Sequence, residues 1–236
     1  MLELFSNKKI MVIVAHPDDE LLGCSATMHK LIHDYNCKIR VVILGEGLTS
    51  RSEIRNIEKW GKALRVHRNN IENARKIIGY DSVGIYDLPD NRFDSVDLLD
   101  IIKVVEKEKV DFKPDSIFTH HGGDLNIDHQ RTFEAVITAT RPMEGEGVKS
   151  VTTFETPSGT EWQASTDPRH FAPNLYVSID EENLHAKIEA MECYEFEKRS
   201  YPHPRSPEAL KILAQQRGLS VGKKLAEAFQ IIRIIS

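Results

Sequence analysis

The most constraining stretch of the chain is its first apolar run, Lys9-Ile10-Met11-Val12-Ile13-Val14-Ala15, which breaks at His16-Pro17-Asp18-Asp19-Glu20. A continuous apolar run fits a strand buried on both faces, as in a parallel sheet covered by helices. Beyond Pro17, Leu21, Leu22, Cys24, Met28, Leu31 and Ile32 recur at helical spacing. The same order then repeats. Residues 38–44 predict a second strand, about 53–78 a helix stopped by Gly79, 83–88 a third strand and 95–107 a helix. A fourth strand at 116–119 leads into a helix at about 128–140 that stops before Pro142. Residues 148–154 and 174–179 read as strands, 181–197 and 207–217 as helices, and the closing AEAFQIIRII fits either. Such alternation predicts an α/β fold: a Rossmann-like, doubly wound, mostly parallel sheet. We expect one domain over 1–236 with a C-terminal elaboration from about 155, where loops 155–172 and 200–207 exceed ordinary connections.

Composition narrows the function classes. With 31 Lys+Arg against 36 Asp+Glu among 236 residues, the net charge of −5 argues against a general nucleic-acid binder. Three cysteines, Cys24, Cys37 and Cys193, form no CxxC, so a metal site would have to use histidine and carboxylate. No stretch approaches the ~18 apolar residues of a membrane span, and a cytoplasmic location is the default expectation. A dinucleotide-binding oxidoreductase fails on its first turn: AHPDDELLG lacks the glycine fingerprint, and its acids would repel a pyrophosphate.

In open α/β sheets, sites lie beyond the carboxyl ends of strands. Two strand ends are unusual here. The first carries His16, Asp18 and Asp19; the fourth reads Thr119-His120-His121-Gly122-Gly123-Asp124-Leu125-Asn126-Ile127-Asp128-His129. His16 and Asp19 span a strand-to-helix turn and can face one point. Adjacent acids repel without a cation, and a divalent metal resolves this by taking one as ligand and leaving the other as a base. His129 is the best-placed third ligand, and Asp128 is placed to hold a ligand's outer ring nitrogen. Two His and one Asp leave a tetrahedral position for water, as in catalytic zinc sites. The same set suits Fe2+. The bland alternative is a turn histidine beside two helix-capping acids. Gly122-Gly123 predicts a close backbone approach.

The pairing of AHPDDE with DxNxDH, supported by Gly45-Glu46-Gly47 and Asp90-Asn91-Arg92-Phe93, resembles the LmbE/PIG-L family of metal-dependent N-deacetylases over about residues 8–140. Tyr201-Pro202-His203-Pro204-Arg205-Ser206 resembles a C-terminal motif of a sugar-acting branch. The resemblance implies His16, Asp19 and His129 as Zn2+ ligands and Asp18 as the base that deprotonates metal-bound water. It implies a small-molecule substrate, an N-acetylated amino sugar or sugar conjugate of cell-surface glycan or small-thiol biosynthesis. Several members carry a histidine where this chain has Asn126; asparagine can donate a hydrogen bond to an oxyanion but not a proton. His203 is then the candidate acid. Glu46, Asp90 and Arg92 are candidate sugar contacts, Trp162 a stacking platform on a lid, and Arg68 lies near where the family places a substrate-contacting arginine. Turn chemistry accounts for Asp90 almost as well, and a solvated surface for Arg68. The competing functional reading is a metal-containing protein that binds an acetylated sugar without cleaving it. Sheet edges and long loops leave room for a homo-oligomer.

Overall fold

The computed structural model describes residues 5–235. Seven strands form one sheet: β1 (Lys9–Val14), β2 (Lys38–Gly45), β3 (Ser82–Leu88), β4 (Ser116–His120), β5 (Ser150–Phe154), β6 (Leu175–Ser178) and β7 (Ala226–Ile234). The helices are α1 (Asp19–Tyr35), α2 (Ile57–Ile78), α3 (Leu98–Phe112), α4 (Ile127–Ala139), α5 (Glu181–Met191) and α6 (Pro207–Leu219). Across the sheet the order is β3-β2-β1-β4-β5-β7-β6. The first five strands in that order are parallel; β7 runs antiparallel to both β5 and β6. The closing segment is therefore a strand, buried throughout its first half because it fills the gap between β5 and β6.

The doubly wound prediction follows from β1. Its alternate residues feed two cores: Ile10, Val12 and Val14 pack with Leu21, Leu22 and Met28 of α1, Ile71 and Ile78 of α2, and Leu184 of α5. Met11 and Ile13, with Ala15 just beyond the strand, pack with Ile101 and Val105 of α3 and Ala135 and Val136 of α4. Burial on both faces is why the run carries no polar alternation.

Helix bounds moved where polar side chains decide them. The second helix starts at Ile57, not near 53, because Asn56 is extended and its side chain accepts from Lys59 N at 2.9 Å. The helix expected to reach 197 stops at Met191. There the chain turns to bury Tyr194, whose hydroxyl donates to Glu20 Oε1 at 2.8 Å. Gly122-Gly123 answers its expectation: a Cβ on Gly122 would lie 2.5 Å from the Phe133 ring, and one on Gly123 2.0 Å from Arg169 O.

Candidate active site

Chain connections run from β1 outward through β2 and β3, then return to place β4 on the other side of β1. The crevice where the order reverses is the usual ligand position in this architecture. The β1–α1 and β4–α4 turns meet there, which brings the two unusual motifs together.

The first turn is held by its own acids. Asp19 Oδ2 accepts the His16 backbone N–H at 2.8 Å. Glu20 Oε2 accepts that of Asp18 at 3.1 Å. Asp18 adopts a left-handed conformation, φ 99°, which costs a non-glycine residue roughly 1–3 kcal/mol and recurs at functional sites.

His16, Asp19 and His129 converge. Asp19 Oδ2 lies 3.4 Å from His16 Nδ1 and 3.3 Å from His129 Nε2. Ligand atoms about 2.0–2.1 Å from a tetrahedral zinc are about 3.3–3.4 Å apart, so the spacing fits such an ion. Asp19 Oδ1 and His129 Nε2 are buried without a hydrogen-bond partner, and a cation held against the Asp19 carboxylate would give His129 Nε2 a partner. A second cluster, His16 with Asp90 and Asp128, also lies within ligating distance. Its carboxylates are already committed: Asp128 accepts backbone N–H groups of Asn91 (2.6 Å) and Phe93 (2.8 Å), and Asp90 accepts Ser50 N (3.0 Å) and Oγ (2.6 Å).

The outer ring nitrogens have separate carboxylates. His16 Nε2 is 2.8 Å from Asp128 Oδ2, the role expected for Asp128. His129 Nδ1 is 3.1 Å from Asp124 Oδ1. Sequence reasoning missed Asp124, because nothing distinguished it from other acids in its segment. Asp124 also accepts Asn126 N at 2.8 Å and the Thr160 hydroxyl at 2.6 Å. His120 stacks on His129 with centroids 3.8 Å apart. Its Nε2 accepts Ala15 N at 2.9 Å, leaving Nδ1 to donate to Thr156 Oγ1 at 3.1 Å.

Without a cation the charges sort themselves. Burial alone would lower the His129 pKa, but Asp19 and Asp124 overcome it and bring it to about 9. Burial and the neighbouring His129 push His120 down to about 4. Burial opposes ionisation of Asp19, yet His129 and His120 hold it well below the usual carboxylate range. Burial raises Asp18 well above that range, although Arg205 Nη1 donates to its Oδ2 at 2.8 Å and opposes the rise.

Beside this cluster lies a pocket of about 280 Å³, near the lower end of small-molecule sites at ~300–1,000 Å³. His16, Asp18, Asp90, Asn126, Trp162 and His203 line it, joined by Ser50, Arg51, Asn91, Ser158, Glu197, Arg199 and Arg205. Asn126 caps α4 through Asp128 N, and its Nδ2 donates to Asn91 Oδ1 at 2.9 Å. His203 packs edge-on against Trp162, centroids 5.7 Å apart, and its Nδ1 accepts Arg205 N at 3.2 Å. Partial burial and then Arg205 and Arg199 lower its pKa.

Three expected contacts lie outside the lining. Glu46 is buried, and both its oxygens are occupied by Arg55 at 2.9 and 3.0 Å, with Thr49 as a further donor. Arg68 pairs with Asp87 on the surface at 2.8 Å. Arg92 donates to Glu53 O at 3.1 Å and pins that loop. In each case a nearer protein partner captures the charge. His67, within α2, is buried against Tyr194 and Phe196.

A family model for PIG-L, GlcNAc-PI de-N-acetylase, matches residues 11–140, a span that contains both motifs. Over 189 residues the chain is 27% identical to the uncharacterized deacetylase YaiS of Escherichia coli K12, covering 78% of this chain and 89% of that protein. The fold is similar to that of N,N'-diacetylchitobiose deacetylase from Pyrococcus horikoshii, with TM-score 0.71 and 18% identity over 96% of this chain and 84% of that one. It is also similar to GalB, the 4-carboxy-2-hydroxymuconate hydratase of Pseudomonas putida KT2440, with TM-score 0.74 and 19% identity over 97% and 98%. At such identities the two structures establish the fold and leave the reaction to the residues of the site.

Proposed function

The chain belongs to the PIG-L family of de-N-acetylases, and from that premise we propose that it is a zinc-dependent hydrolase removing the acetyl group from an N-acetylated amino sugar or sugar conjugate of cell-surface glycan type. The observation that carries this reading is Asp19: one oxygen has His16 and His129 at tetrahedral spacing, the other is buried and unpartnered, and Asp18 stands next to it facing the pocket. His16 Nδ1, Asp19 and His129 Nε2 would hold the ion; Fe2+ suits the same donors. When bound, a divalent cation there supplies a Lewis acid that lowers the pKa of water and polarises a carbonyl.

The residues around it divide the remaining work. Asp18 takes the proton of the attacking water; burial raises its pKa and so makes it a stronger base than an exposed carboxylate. Asn126 has one amide N–H uncommitted to Asn91 and is placed to donate to the oxyanion. His203 accepts at Nδ1 and therefore carries its hydrogen on Nε2. With its pKa lowered, it suits the role of hydrogen-bond donor better than that of acid. We therefore assign protonation of the leaving amine to Asp18, which already holds the proton taken from water. Trp162 offers an apolar face to a sugar ring.

Acetate release from a panel of N-acetylhexosamines, with and without chelator, tests the reading. Chelator-sensitive release that falls at least 100-fold in Asp18→Asn is the expected result. Release that survives chelation, or none from any amide, overturns it. A protein that binds without cleaving would instead keep its sugar affinity in Asp18→Asn and release no acetate in either form.

A further inference from the structure

Three arginines on the pocket lining share one carboxylate. Arg51 follows β2, Arg199 follows α5 and Arg205 precedes α6, yet all three guanidinium groups meet at one carboxylate, Glu197. Arg199 Nη2 and Arg205 Nη1 each lie 3.5 Å from Glu197 Oε2, and Arg51 Nη2 bonds Oε1. Arg205 has a second acid, Asp18. Among the described residues Arg51 and Arg199 have no other carboxylate within ion-pair distance. One buried acid thus serves two cations that have no second acid within ion-pair distance, while Asp90 on the same lining is taken by Ser50.

These side chains are also held in place while still reaching solvent. Arg51 Nη2 and Arg199 Nη1 both donate to Phe196 O, at 3.3 and 3.1 Å, and Arg199 Nη1 also to Lys198 O at 2.9 Å. Their side chains remain 35% and 37% exposed. Arg51 Nε and Nη1 and Arg199 Nε have no acceptor among the described residues. Fixed guanidinium groups with open N–H donors suit a planar or tetrahedral oxyanion better than a neutral hydroxyl. A solvated charge run would not converge on one carboxylate from two separate connections, β2–α2 and α5–α6.

We propose that the substrate of this pocket carries an anionic substituent, phosphate or carboxylate, beside its acetamido group, and that Arg51 and Arg199 bind it at the mouth. The inference rests on the deacetylase reading for the acetamido group but not for the anion. Such a group would dock on the open N–H donors of these two cations, directing the amide toward Asp18 on the same lining.

The test uses the zinc-loaded full chain and four probes: N-acetylglucosamine, its 1-phosphate, its 6-phosphate and N-acetylmuramic acid. At least one anionic probe should exceed the neutral sugar by about 10–100-fold in kcat/KM, chiefly through KM, and the advantage should shrink as salt is raised. The member that gains identifies phosphate or carboxylate and the side of the ring that faces the mouth. In Arg51→Gln and Arg199→Gln the anionic-to-neutral ratio should drop at least 5-fold, a readout that a general loss of folding or of metal does not move. A neutral sugar as good as every anionic probe, or a ratio unchanged in both variants, overturns the proposal. If no probe releases acetate, the deacetylase reading fails separately, and calorimetric binding decides the anion question. A tenfold preference for an anionic probe that Arg199→Gln erases supports it; equal affinities, or no binding by any probe, overturn it.

Discussion

Asp124→Asn isolates the contribution of a residue that touches neither the proposed ion nor the pocket. Asp124 is fully buried. Its Oδ1 lies 3.1 Å from His129 Nδ1, and Asn126 N and the Thr160 hydroxyl hold it from the other sides. Asparagine preserves the volume and one acceptor but removes the charge that orients His129 and makes it a better donor. Losing such an outer carboxylate typically weakens metal binding 10–100-fold, or about 1.4–2.7 kcal/mol. A second effect opposes the first. In the metal-free protein Asp19 and then Asp124 raise the His129 pKa to about 9. At pH 7 an incoming ion must displace that proton, a penalty of about 2.7 kcal/mol for two units. The variant has a lower His129 pKa and a smaller penalty, so part of its defect is masked at neutral pH.

The signature is therefore a defect that widens with pH. Zinc affinity, measured by competition with a chelator of known affinity, should fall less at pH 7 than at pH 9, where the full 10–100-fold loss appears. An NMR titration of the His129 ring in the metal-free variant should show its pKa lowered. If the folded variant binds zinc within about 3-fold of the parent at pH 9, Asp124 does not orient His129 and the ligand assignment built on it is wrong.

Two further outcomes test separate parts of the structure. At pH 7 zinc binding should release between one and two protons per ion, because His129 sits near 9 and His16 well above its ordinary value. Burial opposes the His16 rise, but Asp128 and Asp19 overcome it. Calorimetry in buffers of differing ionisation enthalpy reads that number. Affinity should rise with pH until His129 is deprotonated, and a buffer-independent enthalpy at pH 7 contradicts the ligand set. Away from the site, Lys187 and Glu227 form a buried ion pair at 2.6 Å, with Lys187 Nζ also donating to Leu22 O and Glu227 accepting Thr27 N, which ties α5 and β7 to α1. Lys187→Met strands the carboxylate and should cost about 3–5 kcal/mol in urea unfolding, with Lys187→Met/Glu227→Leu much nearer the parent. A loss below about 1 kcal/mol in the single variant would show that the pair is solvated.

What could be read beforehand depended on how local its determinants were. The sheet, its parallel sense and the convergence of His16, Asp19 and His129 follow from patterns within a few residues and from the rule that sites lie at strand ends. β7 was ambiguous because its last residues lack alternation, and only the gap between β5 and β6 decides it. Glu46, Arg68 and Arg92 lie outside the pocket lining for one reason: a charge's partner is chosen in three dimensions, and Arg55, Asp87 and the Glu53 carbonyl hold these side chains. Arg205 stood in view within YPHPRS, but its approach to Asp18 spans 187 positions of sequence. Arg51 and Glu197, 146 positions apart, gave no local signal at all.

The same physics explains why so many acids can share one crevice in this fold. Asp18, Asp19, Asp90, Asp124 and Asp128 are all buried there, and five unscreened carboxylates would not survive folding together. Four of them are answered by the protein: Asp128 by two backbone N–H groups and His16, Asp124 by Asn126 N, Thr160 and His129, Asp90 by Ser50, and Asp18 by Arg205. Asp19 alone keeps an oxygen that nothing satisfies. Fold similarity extends equally to a hydratase and a deacetylase, so the architecture does not select the reaction. The unsatisfied groups make a narrower selection: a cation for Asp19 at the bottom of the pocket and an anion for Arg51 and Arg199 at its mouth. A ligand that meets both demands must present a polarisable carbonyl to the interior and a negative charge to the rim.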